Sequence, residues 1–212
     1  MDMTTNSDVP AKPELIEIIC VTYSRINELR CLVASLACQT SLRFAIKIIH
    51  DGPSLETRAC VSDLRRIYPM LRILYQETEE RFNDYGHSLR SIGLIDSQYD
   101  YILLTNDDNY YVPVFIEEIE NVIKEQTPDI IYFDMVHSYV IEDQPNPISY
   151  QTLITEPRIN RIDIGSFVFK SELGKAVGIR ERSSDADGVF FEDMKRTGAK
   201  IVKIPKVLFV HN

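Results

Sequence analysis

The stretch Tyr101-Ile102-Leu103-Leu104-Thr105-Asn106-Asp107-Asp108-Asn109-Tyr110-Tyr111-Val112-Pro113 decides how this chain is read. Its first five residues form a short apolar run of the kind found in buried strands. Two adjacent carboxylates follow at the strand's end. Pro113 then suits the first turn of a helix carrying Phe115, Ile119, Val122 and Ile123. Strand, acidic turn and helix together make one βα unit.

The same unit repeats towards the N-terminus. Glu14 to Thr22 reads as a buried strand, followed by a helix over Arg25 to Cys38 with Leu29, Leu32, Val33 and Leu36 at helical spacing. Phe44 to His50 is a second strand, ended by the turn Asp51-Gly52-Pro53-Ser54. A helix from Leu55 to Tyr68, a strand from Leu71 to Gln76 and a helix from Asn83 to Asp96 lead back to Tyr101. Towards the C-terminus, Ile130 to Met135 is a fifth strand. His137 to Arg161 reads as irregular, Ile162 to Phe169 as a further strand, and a short helix follows Asp187. Ile201 to Val210 ends the chain in extended character. Alternating strands and helices predict a single α/β domain with a mostly parallel central sheet flanked by helices. Met1 to Pro13 is polar and reads as a flexible tail.

Composition sets outer bounds. The chain has 212 residues, enough for one sizeable core, and a formal charge of −9. An acidic surface of that size disfavours nonspecific nucleic-acid binding but leaves room for a nucleotide whose phosphates meet local cations and a metal. No run approaches the roughly 18 apolar residues of a membrane span, and the N-terminus lacks the apolar region of a signal peptide. Cys20, Cys31, Cys38 and Cys60 lack metal-site spacing, so reduced thiols in a cytoplasmic protein are expected.

In open sheets of this class, ligands bind beyond the carboxyl ends of the strands. That rule selects Thr22, Tyr23, Asp51 and the segment 106–109. Asp107 and Asp108 repel one another unless a cation or donors compensate. A hard ion, Mn²⁺ or Mg²⁺, takes such oxygen ligands and shares the rest with water and phosphate. Each residue has a plainer reading: a solvated turn for the acidic pair, an Asx turn for Asp51, a core cap for Tyr23, a surface charge for Arg81. Asp187 lies before a helical pattern, where it suits either an N-cap or a general base. His211 stands after the apolar run Val207 to Val210 and reads as incidental or as a metal ligand from a distant segment.

Taken together, the blocks resemble the family 2 glycosyltransferases with the GT-A fold. Ile18-Ile19-Cys20-Val21-Thr22-Tyr23-Ser24-Arg25, then Ser35-Leu36-Ala37-Cys38-Gln39-Thr40, is similar to that family's first strand, nucleotide-contacting turn and "SLxxQT" helix end. Ile48-Ile49-His50-Asp51-Gly52-Pro53-Ser54 resembles its "VVDDGS", and Thr105 to Pro113 its "DxD" region. The resemblance implies a nucleotide-sugar donor, with a UDP-type base packed on Tyr23, and Thr22 and Arg25 in the same turn. It implies Asp51 on the base, Arg81 on base or phosphate, Asp107 on the ribose, and Asp108 and His211 towards a metal. It also implies that residues 14–125 bind the donor and 126–212 face the acceptor, a glycan or glycolipid hydroxyl. Asp187 would then be the base of an inverting displacement.

The chain departs from the pattern at His50 and Asn106, which replace aspartates, and at Ala186, which replaces the Glu of an "ED" pair. Asp185 is an alternative base. Glu192-Asp193 is a literal "ED" but would sit in mid-helix, close to Gly198. A nucleotidyltransferase would want a basic glycine-rich loop after the first strand, and Thr22 to Arg25 contains no glycine. A nucleotide-sugar-binding module without turnover is the other alternative.

Overall fold

The computed structural model describes residues 15–139 and 149–212. The first four strands are β1 (Ile16–Thr22), β2 (Phe44–His50), β3 (Arg72–Glu77) and β4 (Tyr101–Asn106). The helices between them are α1 (Ile26–Ala37), α2 (Leu55–Ile67) and α3 (His87–Asp96). Beyond lie β5 (Tyr110–Tyr111), α4 (Phe115–Gln126), β6 (Ile130–Tyr139) and β7 (Ser149–Leu153). A 3-10 turn (Ile164–Ser166), β8 (Phe167–Lys170), α5 (Ser171–Val177), α6 (Ala186–Arg196) and β9 (Ile201–His211) complete the chain.

Strand order in the sheet is β3-β2-β1-β4-β8-β6-β9-β5, with β7 beside β6. β1 to β4 pair in parallel, as their apolar runs predict. β8 then runs antiparallel to both β4 and β6, so the sheet is mixed in its C-terminal half. All seven residues of β1 are buried. Successive β1 side chains serve opposite faces: Ile18 and Cys20 join the core under α1, α2 and α4, while Ile19 and Val21 join the one under α3 and α6. Burial on both faces explains why β1 reads as a continuous apolar run rather than an alternating one.

Several boundaries differ from the sequence reading. The third helix starts at His87 rather than Asn83, because Asn83, Tyr85 and Gly86 all take positive φ and form a loop instead. The strand expected over 162–169 is broken. Asp163 accepts a hydrogen bond from the Gly165 N–H at 2.8 Å and donates its own N–H to Ser166 Oγ at 3.1 Å, winding a 3-10 turn before β8. The segment 137–161 is not wholly irregular, since β6 runs on to Tyr139 and pairs with β7; residues 140–148 within that segment lie outside the described part, as does the tail 1–13. Pro113 lies just ahead of α4 rather than in its first turn.

Gln39 explains the motif that closes α1. Its Nε2 donates to Val112 O at 2.9 Å and its Oε1 accepts from Ile116 N–H at 3.0 Å. The buried amide thus clamps the chain between the acidic segment and α4. Among the described residues no helix is long and apolar enough to cross a membrane, and all four cysteines are free.

Candidate active site

A cleft of about 840 Å³ opens beyond the carboxyl ends of β1, β2 and β4. Thr22, Tyr23, Arg25, Asp51, Arg81, Asp107, Asp108 and Asp187 all line it. Eight of the expected residues, drawn from five separate segments, therefore share one cavity. Asp185 and His211 do not line it. Asp185 is exposed at the start of α6 and faces a second cavity of about 230 Å³, whose wall Asp187 shares.

The acidic segment is held from below. Thr105 Oγ1 accepts from Asn109 Nδ2 at 2.9 Å and from the Tyr111 hydroxyl at 3.0 Å. Asp107 is buried, and the Thr22 hydroxyl donates to its Oδ2 at 2.6 Å. Burial pushes its carboxyl up to about 6; the Thr22 hydrogen bond opposes that, and the Asp108 charge adds to it. Asp108 is ion-paired with Arg25 through Oδ2, while its Oδ1 is buried with no hydrogen-bond partner. An orphaned carboxylate oxygen beside a second carboxylate is the donor set a hard divalent ion takes. The residues present therefore fit a metal.

Asp51 proves to be a scaffold as well as a cleft residue. Its two oxygens accept from the N–H groups of Phe82 (2.7 Å) and Asn83 (2.9 Å), which fixes the left-handed loop that carries Arg81 and Tyr85. Arg81 folds back so that its guanidinium lies 3.6 Å over the Tyr23 ring. His50, in place of an aspartate, is buried, with Nδ1 2.7 Å from Gly52 O, and serves the turn.

Asp187 sits in the first turn of α6 and does not cap it. Its Oδ2 accepts from the Ile164 N–H at 3.1 Å. Burial, and then the Asp163 charge, push its carboxyl up to about 6. The next residue, Gly188, lets the helix pack directly on the 159 backbone: a Cβ there would lie 2.5 Å from Ile159 Cα. Glu192 and Asp193 are on the same helix but are spent on ion pairs with Arg196 and Arg180.

Sequence reasoning missed Arg90, His87 and Arg182, which also line the cleft. Arg90 is buried, with Nη2 donating to Asn106 Oδ1 at 2.5 Å and Nη1 to Tyr85 O at 3.0 Å. It thereby fixes the residue that stands in place of an aspartate. A charge beside Leu89 on the buried face of a helix was its visible signal. Arg182, which lines the cleft, pairs with Asp84 and left no signal in the sequence. His211 lies against His137, ring centroids 4.3 Å apart, with Asp163 beside them.

The mixed sheet flanked by helices, with a polar cleft at its carboxyl edge, matches the GT-A fold of the solved structures named below. Residues 17–177 match Glycosyl transferase family 2, and the chain belongs to that family. It is 31% identical over 120 residues to the uncharacterized glycosyltransferase YwdF of Bacillus subtilis, covering 56% of this chain and 41% of that protein. An uncharacterized glycosyltransferase of Haemophilus influenzae is 28% identical over 144 residues, 68% of this chain and 45% of that protein. The chain thus spans less than half the length of these relatives. Among solved structures, S. aureus TarS 1-349 in complex with UDP-GlcNAc superposes with a TM-score of 0.73 at 17% identity, over 93% of this chain and 58% of that one. The mannosyltransferase PcManGT from Pyrobaculum calidifontis, in complex with GDP-Man and Mn²⁺, gives 0.68 at 13% identity, over 95% and 58%.

Proposed function

We propose that this chain moves a sugar from a UDP-sugar to a hydroxyl of a glycan or glycolipid, by one inverting displacement with a divalent cation. One observation carries the reading. Asp187 opens onto the cleft that also holds the Asp107–Asp108 pair, so a carboxylate faces the place where a donor's anomeric carbon would lie.

The base stacks on Tyr23, with Arg81 displaced to its edge or to a phosphate. Asp51 keeps a lone pair on each oxygen for the base while holding the loop. Asp107 takes the ribose hydroxyls, with Thr22 at its back. Asp108 Oδ1 and the diphosphate would hold Mn²⁺ or Mg²⁺, and Arg25 adds a second positive charge there. When bound, the ion neutralises the charge that grows on the leaving nucleoside diphosphate. Asp187 accepts the acceptor hydroxyl's proton as the oxygen bonds to the anomeric carbon and the bond to the diphosphate breaks. Asp185, exposed beside it, is the reserve choice of base. The neighbours fit this reading: TarS is described with UDP and UDP-GlcNAc, PcManGT with GDP-Man and Mn²⁺. Four free cysteines suit a cytoplasmic setting.

The test is nucleoside diphosphate release against a panel of nucleotide-sugars, with and without Mn²⁺. UDP release that requires the ion supports the reading. UDP and Mn²⁺ binding by calorimetry with no release from any donor overturns it in favour of a binding module. Arg25 already neutralising Asp108 is the observation on that side.

A further inference from the structure

Four of the described arginines line the cleft, and three of them already have a carboxylate partner. Arg25 pairs with Asp108, Arg81 approaches Asp51 at 3.7 Å, and Arg182 pairs with Asp84. Arg90 has no ion pair among the described residues. It is only 5% exposed, and its two hydrogen bonds go to neutral oxygens, Asn106 Oδ1 and Tyr85 O. A guanidinium carries five N–H groups, and the buried Nε of this one has no hydrogen-bond partner among the described residues. Burying such a charge without a counterion is costly, so its partner is expected from outside the chain. Position 106 is what leaves the charge open. An aspartate there would pair with Arg90; asparagine supplies a hydrogen bond and no charge.

Arg90 also stands near the reacting end of the cleft. Burial and then the Asp163 charge raise the Asp187 carboxyl, and the Arg90 charge opposes them. In the proposed donor pose the base is held by Tyr23, Asp51 and Arg81, and the diphosphate by Asp108 and Arg25. The place left for Arg90 is beside the sugar. His87 adds no second cation there at neutral pH, because burial and the Arg90 charge push its imidazole below the ordinary value. The rest of the wall is acidic, with Asp51, Asp107, Asp108 and Asp187, and it repels an anionic sugar unless a cation is reserved for it.

We propose that Arg90 selects the donor by pairing with a carboxylate on the transferred sugar, so that the preferred donor is a nucleoside-diphosphate hexuronate rather than a neutral hexose. The inference rests on the proposed donor site and deepens it. A guanidinium with N–H groups to spare meets a carboxylate in a charge-assisted pair, which a neutral hydroxymethyl group cannot match. Asn106 and the Tyr85 carbonyl already hold the guanidinium in place, so little ordering remains to be done on binding.

The test is calorimetry of the chain with Mn²⁺ and UDP, UDP-glucose or UDP-glucuronate, read as the ratio of the two sugar Kd values within each variant. The wild type should bind UDP-glucuronate about 10- to 100-fold more tightly than UDP-glucose. Arg90→Gln should abolish that ratio. Asn106→Asp supplies the counterion internally and should abolish it too, which keeps the test decisive if Arg90→Gln fails to fold. Equal Kd values for the two sugars in the wild type overturn the inference and, with UDP bound, leave the donor site standing. A preference that survives both substitutions overturns it by assigning the carboxylate to another group. An equal loss for all three ligands in Arg90→Gln makes Arg90 a phosphate ligand and overturns it as well. No binding of UDP at all sinks the donor site and this inference together.

Discussion

The guanidinium carbon of Arg81 lies 3.6 Å above the centre of the Tyr23 ring, and Arg81 Nε lies 3.7 Å from Asp51 Oδ2. The three residues follow three adjacent parallel strands, β1, β2 and β3, and meet where the sheet ends. Arg81 covers one face of the Tyr23 ring. A base that stacks on that face, as proposed, has to displace a cation–π contact, and the guanidinium then has to find a new partner on the ligand.

A double-mutant cycle tests that coupling. Tyr23→Ala and Arg81→Ala should each weaken UDP binding about 5- to 30-fold by calorimetry, in line with one stacking or charge-assisted contact. Because the two share a contact, the double variant should lose less than the product of the single losses. Strictly multiplicative losses would mean that the ring and the guanidinium act on the ligand independently.

Asp187→Asn should lower transfer by about 10²- to 10⁴-fold, the usual worth of a general base, and leave the Kd for UDP within about twofold. In the wild type, only the ionised carboxylate can take a proton. With the carboxyl raised to about 6, the transfer rate should climb with pH up to about 6 and flatten above it. An unchanged acid limb in Asp187→Asn, measured on any residual activity, would assign the titration elsewhere.

Asp107 carries the opposite trade. Its folded-state carboxyl is raised to about 6 from an ordinary value of 3.8, so between those values the folded chain binds more protons than the unfolded one. Stability therefore falls as pH rises from about 4 to 6, and the loss persists above 6. Asp107→Asn should raise stability at pH 7.5 by about 1–3 kcal/mol, a few degrees in Tm, and should lose the advantage at pH 4. Donor binding should weaken in the same variant. A thermal scan at the two pH values, paired with calorimetry, gives both readings.

Gln39→Ala removes a buried amide that satisfies a carbonyl at Val112 and an N–H at Ile116. Leaving these groups unpaired should cost about 2–4 kcal/mol in urea unfolding. Gln39→Glu should be nearly as harmful, since the Nε2 donor is lost. A loss under about 0.5 kcal/mol would show that water replaces the amide.

The parallel half of the sheet was legible because β1, β2 and β4 are buried on both faces, which leaves unbroken apolar runs bounded by turn residues. The start of α3 was not. Asn83 to Gly86 has no proline to mark it, and its left-handed backbone is fixed by Asp51, distant in sequence. β5 is too short for any period to show. The 3-10 turn at 164–166 depends on a local cap, and its apolar composition disguised it as a strand. Pro205 is a further case: the β6–β9 register breaks near it, since Ile204 faces Phe133 and Val207 faces Asp134.

By itself the sequence determined the alternating α/β plan and the polar residues that stand just after β1, β2 and β4. Both follow from local rules: burial patterns along single strands, and the geometry that gathers strand ends at one edge. Only the tertiary structure decided which groups face one another. It brought Asp187 to the cleft from the far end of the chain, placed Arg90 behind Asn106 and set Arg182 against Asp84. It also paired His211 with His137 and Asp163 rather than along the wall that holds Asp108. These meetings depend on sheet order and register, which depend on the whole fold and leave no mark in the spacing of residues along the chain.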